Sequence, residues 1–358
     1  MLDPYRLVRP WLHRLDPEDA HELTLRALEH GLVPGQPAGD EPLLATTLFG
    51  RALTNPIGLA AGFDKNGRVY ERMGRHGFGF VEVGGVTPRP QAGNPRPRVF
   101  RLPADGAVIN RMGFPNEGAD ALEGRLQRKG RGPVGALGIN LASNADSADP
   151  AADFVALATR FAPYADFLTL DVSCPNTANG QVFLDPARLA DLLARLAAIP
   201  WSAGGPPLVA KLAPDVDDAL LERLVAVLLA ADIDGIIVSN TTRTRPPGLH
   251  GAAAMEAGGL SGRPLLAPST TMLARVHELT GGRVPLIGVG GIASGADAYA
   301  KLRAGASAVQ LYTGLIYEGT ALVTRIKREL AALLHRDGFA SVSQARAAGT
   351  THSTSVLY

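Results

Sequence analysis

The chain has 358 residues, of which 46% are hydrophobic and 19% charged, and its 35 basic and 34 acidic residues leave a net charge of +1. This balance gives no net field to recruit nucleic acid, and the single cysteine, Cys174, excludes a disulfide framework and a multi-thiolate metal site, so no metal is expected. No apolar run approaches the roughly 18 residues of a membrane span, and the N-terminus lacks the apolar core of a signal peptide. We expect a globular enzyme on the cytosolic side, built as about two domains or as one α/β barrel.

Residues 1–34 predict a pair of short amphipathic helices. In the first, apolar residues recur at helical spacing from Leu2 to Leu15, with Trp11 among them and basic residues on the other faces. Asp16, followed by a proline and two acidic residues, predicts the N-cap of the second helix. Two interpretations are open here: the pair packs on the main domain as a cap, or its apolar face enters a bilayer surface.

From Asn55 onward, short apolar segments that favour strands alternate with helical patterns. Eight strands are predicted, at 57–61, 80–83, 134–139, 167–172, 208–212, 235–238, 286–289 and 308–311, with helices at 186–199, 217–231, 270–279 and 295–304. Continuous apolar strands that alternate with helices predict a parallel sheet covered by helices. Eight such units close on themselves, so the expected fold is an α/β protein, a (β/α)8 TIM barrel with an N-terminal helical extension, whose active site lies at the C-terminal strand ends.

Two long segments interrupt this alternation. Residues 86–133 are rich in proline and arginine and contain two extended runs, Arg98–Leu102 and Ala107–Met112, whose spacing predicts a hairpin. Residues 241–264 are rich in glycine, proline and alanine, which predicts a lid or binding loop.

Polar residues and glycines lie at one end of every predicted strand, and two of the five lysines are among them: Lys65 follows the first strand, and Lys211 lies within the fifth. Glycines after the last two strands let backbone N–H groups approach a phosphate, and asparagine side chains offer donors and acceptors to a heteroaromatic ring. A lysine beside a ring that gains negative charge on reduction stabilises the reduced form. Each feature alone is common in loops, but together they favour a bound flavin mononucleotide (FMN) over a barrel with no cofactor.

Ten stretches in the chain resemble the dihydroorotate dehydrogenases, specifically their membrane-associated, quinone-linked class (class 2). They are LAAGFDKNG (59–67), GNPRPRVFRL (93–102), INRMGF (109–114), GIN (138–140), SCPNT (173–177), AKLAPD (210–215), SNTT (239–242), GGLSGRPL (258–265), GVGGI (288–292) and QLYTG (310–314). They follow the order and spacing of the family over nearly the whole chain, including LDPEDAH (15–21) in the helical pair.

This resemblance implies an FMN-binding barrel over residues 45–340 that oxidises dihydroorotate to orotate in pyrimidine (UMP) biosynthesis and passes the electrons to a quinone. Residues 1–34 would form the entrance of the quinone tunnel and bind the membrane surface. The expected location is therefore the cytoplasmic face of the cell membrane, with peripheral attachment.

Carried over residue by residue, the resemblance also implies three sets of binding residues. The flavin would be held by Ala61, Gly62, Lys65, Gly85, Asn140, Asp171, Lys211, Ser239, Gly262, Gly291, Tyr312 and Thr313. The substrate would be held by Lys65, Asn110, Arg111, Met112, Gly113, Phe114, Asp171, Asn176, Asn240 and Thr241. The quinone tunnel would contain His21, Arg101 and Tyr312. A lysine that neutralises the carboxylate and amides that pair with the ring edge suit orotate.

Cys174 occupies the catalytic-base position, where the quinone class has serine and the soluble class has cysteine. The reaction needs a base that removes a proton from C5 of the substrate while hydride leaves C6. A thiol with a pKa of about 8.5 forms its anion far more readily than a serine hydroxyl. The simpler interpretation is a small buried apolar residue. The position directly after a strand favours catalysis.

Three further departures from the family pattern cluster in the same region. Asp171 replaces an asparagine, Gly85 replaces a threonine, and the segment after Asn176 reads TANGQVFLDP instead of continuing with Gly-Leu-Arg. An ionised Asp171 would repel the substrate carboxylate and the reduced flavin, so it is neutral, paired with Lys211, or the mark of a different substrate. The alternative functions are a paralogous FMN oxidoreductase that acts on another cyclic amide or acid, and a barrel that only binds a partner.

Overall fold

The computed structural model describes residues 4–35, 39–130, 132, 135–173, 176, 180–201 and 204–350. Its helices are α1 (Pro4–Leu12), α2 (Pro17–Glu29), α3 (Tyr70–Met73), α4 (Gly118–Lys129), α5 (Pro150–Phe161), α6 (Pro186–Ala197), α7 (Asp218–Ala230), α8 (Leu266–Thr280), α9 (Gly295–Arg303), α10 (Thr313–Glu318), α11 (Ala321–Arg336) and α12 (Val342–Thr350). Its strands are β1 (Thr46–Leu48), β2 (Arg51–Leu53), β3 (Ile57–Leu59), β4 (Phe80–Val86), β5 (Val99–Leu102), β6 (Ala107–Asn110), β7 (Leu137–Leu141), β8 (Phe167–Leu170), β9 (Leu208–Leu212), β10 (Gly235–Val238), β11 (Gly259–Gly262), β12 (Leu286–Val289) and β13 (Ala308–Leu311).

Eight parallel strands close into a barrel in the order β3-β4-β7-β8-β9-β10-β12-β13, which confirms the predicted (β/α)8 fold. The bounds of β9, β10, β12 and β13 agree with the sequence prediction. The strand predicted at 80–83 continues to Val86, because Gly84 and Gly85 interrupt the apolar run without ending the pairing with β7. Helix α8 begins at Leu266 rather than at 270, since a proline is compatible with the first turn of a helix.

A three-stranded antiparallel sheet stands beside the barrel. Strands β5 and β6 form the predicted hairpin, and β11 pairs with β6 from the other side. The prediction of one long loop at 241–264 is therefore wrong over its last residues. The strand could not be recognised in the sequence because it is rich in glycine, which is typical of loops. The structure requires these glycines: a Cβ at Gly259 would lie 2.0 Å from Thr241 Oγ1, and a Cβ at Gly262 would lie 2.3 Å from Gly106 O. Only glycine permits so close an approach.

The two-residue period of the strands places two different layers of side chains inside the barrel. The lower layer is apolar, and the hairpin β1–β2 closes it from below with Leu48 and Leu53; its barrel residues are Phe80, Phe167, Val209, Ile237, Ile287 and Ala308. The upper layer is polar and buried. Glu82, Thr169, Lys211 and Gln310 each lie two residues beyond a residue of the lower layer, and Asn140 on β7 joins them. The barrel thus presents polar groups at the C-terminal ends of its strands.

The N-terminal helical pair forms as predicted and is attached to the barrel by polar contacts. Asp16 caps α2 by accepting hydrogen bonds from two backbone N–H groups of its first turn. Glu18 forms a largely buried ion pair with Arg98 at 2.8 Å, and Tyr5 Oη donates to Ile316 O at 2.7 Å. The division into 1–34 and 45–340 stays a prediction. Among the residues that the structure describes, no helix has the length and apolar character needed to cross a membrane.

Candidate active site

The upper layer of the barrel interior contains a buried network around Glu82. Its carboxylate accepts hydrogen bonds from Asn140 Nδ2 at 2.9 Å and from Gln310 Nε2 at 2.6 Å. An amide that donates to a carboxylate turns its oxygen away, and Asn140 Oδ1 and Gln310 Oε1 are buried with no hydrogen-bond partner among the described residues. Two acceptors are therefore available to a bound molecule, since buried polar atoms are rarely left unpaired.

Lys65, after β3, supplies a positive charge at the mouth of the barrel. It is half-buried, and its Nζ donates to Gly62 O at 3.0 Å. Burial lowers the pKa of Lys65 to about 8, against the opposing field of Glu18. The side chain is therefore cationic at neutral pH and is suited to pair with a carboxylate.

Asp171, after β8, accepts a hydrogen bond from Asn240 Nδ2 at 3.0 Å. Burial raises the pKa of the Asp171 carboxyl to about 6, although the positive charge of Lys211 lowers it. Asn240 Oδ1 accepts from the backbone N–H of Thr241 at 2.8 Å, which fixes the orientation of the amide. The predicted residues at the ends of β8, β9 and β10 are thus coupled to each other.

A cradle of close backbone contacts lies beside β12 and β13, the usual location of a phosphate in such barrels. Gly262 and Gly291 both have positive φ, and a Cβ at Gly291 would lie 2.5 Å from Leu266 N. Thr313 begins α10, and its Oγ1 donates to Ser261 Oγ at 2.9 Å, which joins this segment to β11. We refer to Gly262, Gly291 and Thr313 as the phosphate cradle. Its glycines let the backbone pack tightly against Leu266 and Gly106, at the strand ends where backbone N–H groups could bind a compact anion.

Asn110 and Asn176 meet at one side of the mouth, although 66 residues separate them in the sequence. Asn176 Nδ2 donates to Asn110 Oδ1 at 3.4 Å, and Asn94 Nδ2 donates to Asn176 O at 3.0 Å. Phe114, at φ +51°, turns its ring toward Gly85, where a Cβ would lie 2.9 Å from the ring. Glycine at position 85 and this placement of Phe114 therefore depend on each other.

The segment from Arg111 to Gly113 borders an open cleft of about 530 Å³, which Asn176 also lines. The Arg111 guanidinium forms an ion pair with Glu256 at 2.7 Å, so its charge is engaged by the neighbouring loop. Met112 and Gly113 contribute backbone carbonyls to contacts that hold the segment, with Met112 O accepting from Asn94 N at 2.9 Å and Gly113 O from Gln91 Nε2 at 2.8 Å.

Three aromatic rings connect α2 to the mouth. His21 packs edge-on against Phe63 with 5.4 Å between ring centroids, and Phe63 packs edge-on against Tyr312 at 5.6 Å. Burial lowers the pKa of His21 to about 3, so its imidazole is neutral. Arg101 binds the turn between α1 and α2 instead, where its Nη1 donates to Leu15 O at 3.0 Å.

Of the remaining predicted residues, Ala61 follows β3 and Ser239 follows β10, where Ser239 Oγ donates to Asn240 O at 2.9 Å. Cys174 lies outside the described residues. Its neighbour Ser173 is buried and donates from Oγ to Lys211 O at 2.7 Å.

Sequence reasoning missed Glu82, Gln310 and Asp64 as parts of the site. Glu82 is the one charged residue in the buried strand FVEVGGV, and this position was the available signal. Asp64 is fully buried after β3, where it accepts from Arg68 N and Val69 N at 2.7 Å each and so shapes the segment that carries Lys65.

The residues of this site have the chemistry to hold a phosphorylated flavin. The two unpartnered amide oxygens match ring N–H donors, and Lys211 supplies a buried positive charge. The phosphate cradle lies beside β12 and β13, where such barrels usually bind a phosphate. These residues would hold the group; the chemistry it supplies when bound is hydride acceptance.

Comparison with known proteins agrees with this geometry. The family model described as dihydroorotate dehydrogenase matches residues 43–334. A "Dihydroorotate dehydrogenase (quinone)" of Rhodospirillum rubrum is 51% identical over 96% of this chain and 94% of its own length, and one of Cereibacter sphaeroides is 52% identical over 94% and 95%. The mitochondrial protein of that name from Arabidopsis thaliana is 45% identical over 95% of this chain and 80% of its own length.

Solved structures show the same fold. The DHODH of Eimeria tenella in complex with ferulenol superimposes with a TM-score of 0.88 and 37% identity, and covers 92% of this chain and 94% of that chain. These comparisons do not favour a paralogue with another substrate or a barrel without activity. Dihydroorotate dehydrogenases are flavin-dependent oxidoreductases. The chain belongs to the dihydroorotate dehydrogenase family, in its quinone-linked class.

Proposed function

We propose that this chain oxidises dihydroorotate to orotate with FMN as its flavin, Cys174 as its base and a membrane quinone as its electron acceptor. The observation that carries the proposal is the buried polar layer above the apolar barrel core, with two amide oxygens that lack partners among the described residues. The phosphate cradle beside β12 and β13 supports FMN over an unphosphorylated flavin.

Lys65 and the amides at the mouth have the chemistry to hold the substrate. A half-buried ammonium neutralises the substrate carboxylate, and Asn110, Asn176 and Asn240 offer both N–H donors and oxygen acceptors to the two amide groups of the ring. Asn110 and Asn176 already contact each other, and Asn240 is oriented by Thr241 and Asp171. Such fixed amides keep the substrate ring in one orientation.

Cys174 is proposed as the group that removes the C5 proton. Its flanking residues support this role, because Ser173 is anchored to the carbonyl of Lys211 and Asn176 to Asn110, which holds both ends of the segment at the mouth. A thiolate is a stronger candidate than a neutral hydroxyl near pH 8.

The aromatic group of His21, Phe63 and Tyr312 is proposed as the inner wall of the quinone tunnel. Its rings are apolar on their faces, and the neutral His21 adds no charge that would exclude an uncharged quinone. Arg101 is proposed to hold the turn at the tunnel entrance, since it binds the carbonyls of that turn.

The outer surface of the helical pair is proposed to bind the membrane. Leu7 and Trp11 of α1 are each 68% exposed, and Leu23 of α2 is 49% exposed. Basic residues accompany them in α1, which is typical of helices that lie in a bilayer interface. This arrangement supports peripheral attachment, and we propose the cytoplasmic face of the cell membrane as its location.

The proposed activity is tested by anaerobic spectroscopy of the purified, flavin-loaded protein. Dihydroorotate should bleach the flavin absorbance, a ubiquinone analogue should restore it, and flavin released by heat should chromatograph as FMN. A flavin that dithionite bleaches but dihydroorotate does not would overturn the assignment of the substrate.

The assignment of Cys174 is tested separately. Cys174→Ala should retain FMN and lose the rate of flavin reduction by orders of magnitude, whereas Cys174→Ser should regain part of that rate at high pH. An unchanged rate in Cys174→Ala would contradict the proposed base.

A further inference from the structure

Lys301, on α9, is a fully buried lysine outside the residues proposed to contact substrate or flavin. Its Nζ donates to Ser269 Oγ at 2.7 Å and to Thr270 Oγ1 at 3.2 Å, both in α8. Within the described part of the chain, no carboxylate forms an ion pair with it. Buried lysines are normally paired, because an uncompensated charge in the interior is costly.

Lys327 shows the ordinary arrangement in the same chain. It too is buried on an outer helix, α11, but its Nζ meets Asp40 Oδ1 at 2.5 Å. The carboxylate nearest to Lys301 along its own helix, Asp297, accepts instead from the backbone N–H of Ala293 at 2.9 Å. Lys301 therefore lacks a direct ion pair of the kind that Lys327 forms with Asp40, and Asp297 acts on it only through its field.

The position of Lys301 connects it to the phosphate cradle. Ser269, which accepts from its ammonium, lies 3.3 Å from Gly290 O, directly before the cradle residue Gly291. A Cβ at Gly290 would lie 2.8 Å from Ser269 Oγ, and the alkyl chain of Lys301 lies against Gly288 in β12, two residues before Gly290. The ammonium thus stands behind the backbone that would face the anion.

The electrostatics of this position are favourable only with an anion present. Ser269 and Thr270 belong to the second turn of α8, near the positive end of its dipole, where a cation is destabilising and an anion stabilising. Burial lowers the pKa of Lys301 to about 7, and the field of Asp297 offsets this effect only in part, so a further counter-charge would stabilise the ammonium. An anion in the cradle would supply that counter-charge.

We propose that Lys301 is a specificity-determining residue that makes the flavin site select a phosphorylated flavin, by supplying a buried positive charge behind the phosphate cradle. The inference rests on the proposed flavin function and adds to it a residue that touches neither the ring nor the substrate. Its charge acts on the phosphate of the cofactor through the intervening backbone, and the phosphate in turn supplies a counter-charge to the buried ammonium.

The test compares the affinities of FMN and riboflavin for the flavin-depleted full chain, measured by fluorescence titration. In Lys301→Gln the affinity for FMN should fall about tenfold or more, while the affinity for riboflavin stays unchanged, because only FMN carries the charge. Lys301→Arg, which keeps the charge, should recover part of the preference. The matched control is Lys327→Gln, which removes the other buried lysine and should leave the FMN-to-riboflavin ratio as it is.

A second measurement needs no variant to fold. With 13Cε-labelled lysine the five lysines give few signals, and the resonance of Lys301 should move on addition of FMN but not of riboflavin. Equal losses for both flavins in Lys301→Gln, or equal movements of the resonance, would overturn the inference while leaving the flavin function intact. Failure of the unaltered chain to bind either flavin would instead overturn the proposed function.

Discussion

Glu82 Oε1 accepts a hydrogen bond from Asn140 Nδ2 at 2.9 Å in the interior of the barrel. This contact determines which end of the amide faces a ligand, because the carboxylate can only accept. Glu82 has the same relation to Gln310, so a single carboxylate orients two amides, one on the neighbouring strand β7 and one on β13, which lies beyond β3.

Glu82→Gln should therefore weaken flavin binding. The new amide can donate as well as accept, so it no longer fixes the Asn140 oxygen toward the ligand. We therefore expect the affinity for FMN to fall tenfold or more, which corresponds to about 1.4 kcal/mol. Fluorescence titration measures the loss, and a shift of the flavin absorbance bands should accompany it. Glu71→Gln, a substitution at a glutamate that pairs with Lys129 away from the barrel interior, is the control and should leave both unchanged. Unaltered bands and affinity in Glu82→Gln would argue against the orienting role.

Asp171→Asn should stabilise the protein, and more so at high pH. The folded-state pKa of about 6 lies above the ordinary value of 3.8, so the native state holds its proton longer than the unfolded chain does. The ionised carboxylate therefore lowers the free energy of unfolding. This loss is absent below about pH 4 and complete above about pH 6 to 7, where it reaches at most about 3 kcal/mol. Denaturant titrations of both proteins at pH 4.5 and 8 measure this difference. A gain that is equal at the two pH values would contradict the raised pKa.

Asp171→Asn also tests how the charge at position 171 affects turnover of dihydroorotate. An amide at position 171 removes a negative charge that opposes the substrate carboxylate, so kcat/KM for dihydroorotate should rise. Asp166→Asn is the matched control, since this other buried aspartate pairs with Arg51 at 2.8 Å outside the mouth and its loss should lower stability without raising kcat/KM.

The affinity for orotate should depend on pH through Lys65. Because burial lowers the pKa of Lys65 to about 8, its positive charge is present below that pH and is lost above it. Orotate binding should fall by up to tenfold for each unit above pH 8, a range in which Asp171 is already ionised and no longer titrates. Titration of orotate by the perturbation of the flavin spectrum measures this profile. The profile should become flat and weak in Lys65→Met; a slope that persists there would assign the titration to another group.

The helical pair should control attachment to vesicles without affecting the flavin. Replacing Leu7 and Trp11 by serine removes two exposed apolar side chains, so co-sedimentation with anionic vesicles should fall several-fold. Reduction of the flavin by substrate should continue at the original rate. Met255→Ser removes an apolar side chain that is 80% exposed on a different loop, and it should bind vesicles like the unaltered chain. Equal binding by all three proteins would exclude the helical pair as the attachment surface.

The sequence predicts the barrel well because each strand is a local pattern. Strands such as β10 and β12 are continuous apolar runs that end at polar residues, and their bounds are predicted to the residue. Strand β11 is not predictable in this way, because its glycines are required by contacts with Thr241 and Gly106 that no local pattern contains.

The residues of the candidate site likewise fall into two groups, those that a local sequence pattern predicts and those that depend on tertiary contacts. The polar residues after the strands are visible in the sequence, and their meeting at one mouth follows from the fold. The pairing of Glu82 with Gln310 joins positions 228 residues apart, and the contact of Phe114 with Gly85 depends on a left-handed backbone at Phe114. Such contacts are set by tertiary packing, so they could only be found in three dimensions.

The hairpin β1–β2 gives the barrel a sealed base. Leu48 and Leu53 pack into the apolar lower layer, and the ring of Phe49 lies tilted against that of Phe167 with 5.3 Å between centroids. Because apolar side chains fill this end of the barrel, substrate and cofactor can enter and leave only at the C-terminal ends of the strands. Substitutions in the hairpin should therefore change the free energy of unfolding and leave the affinities for flavin and substrate unaffected.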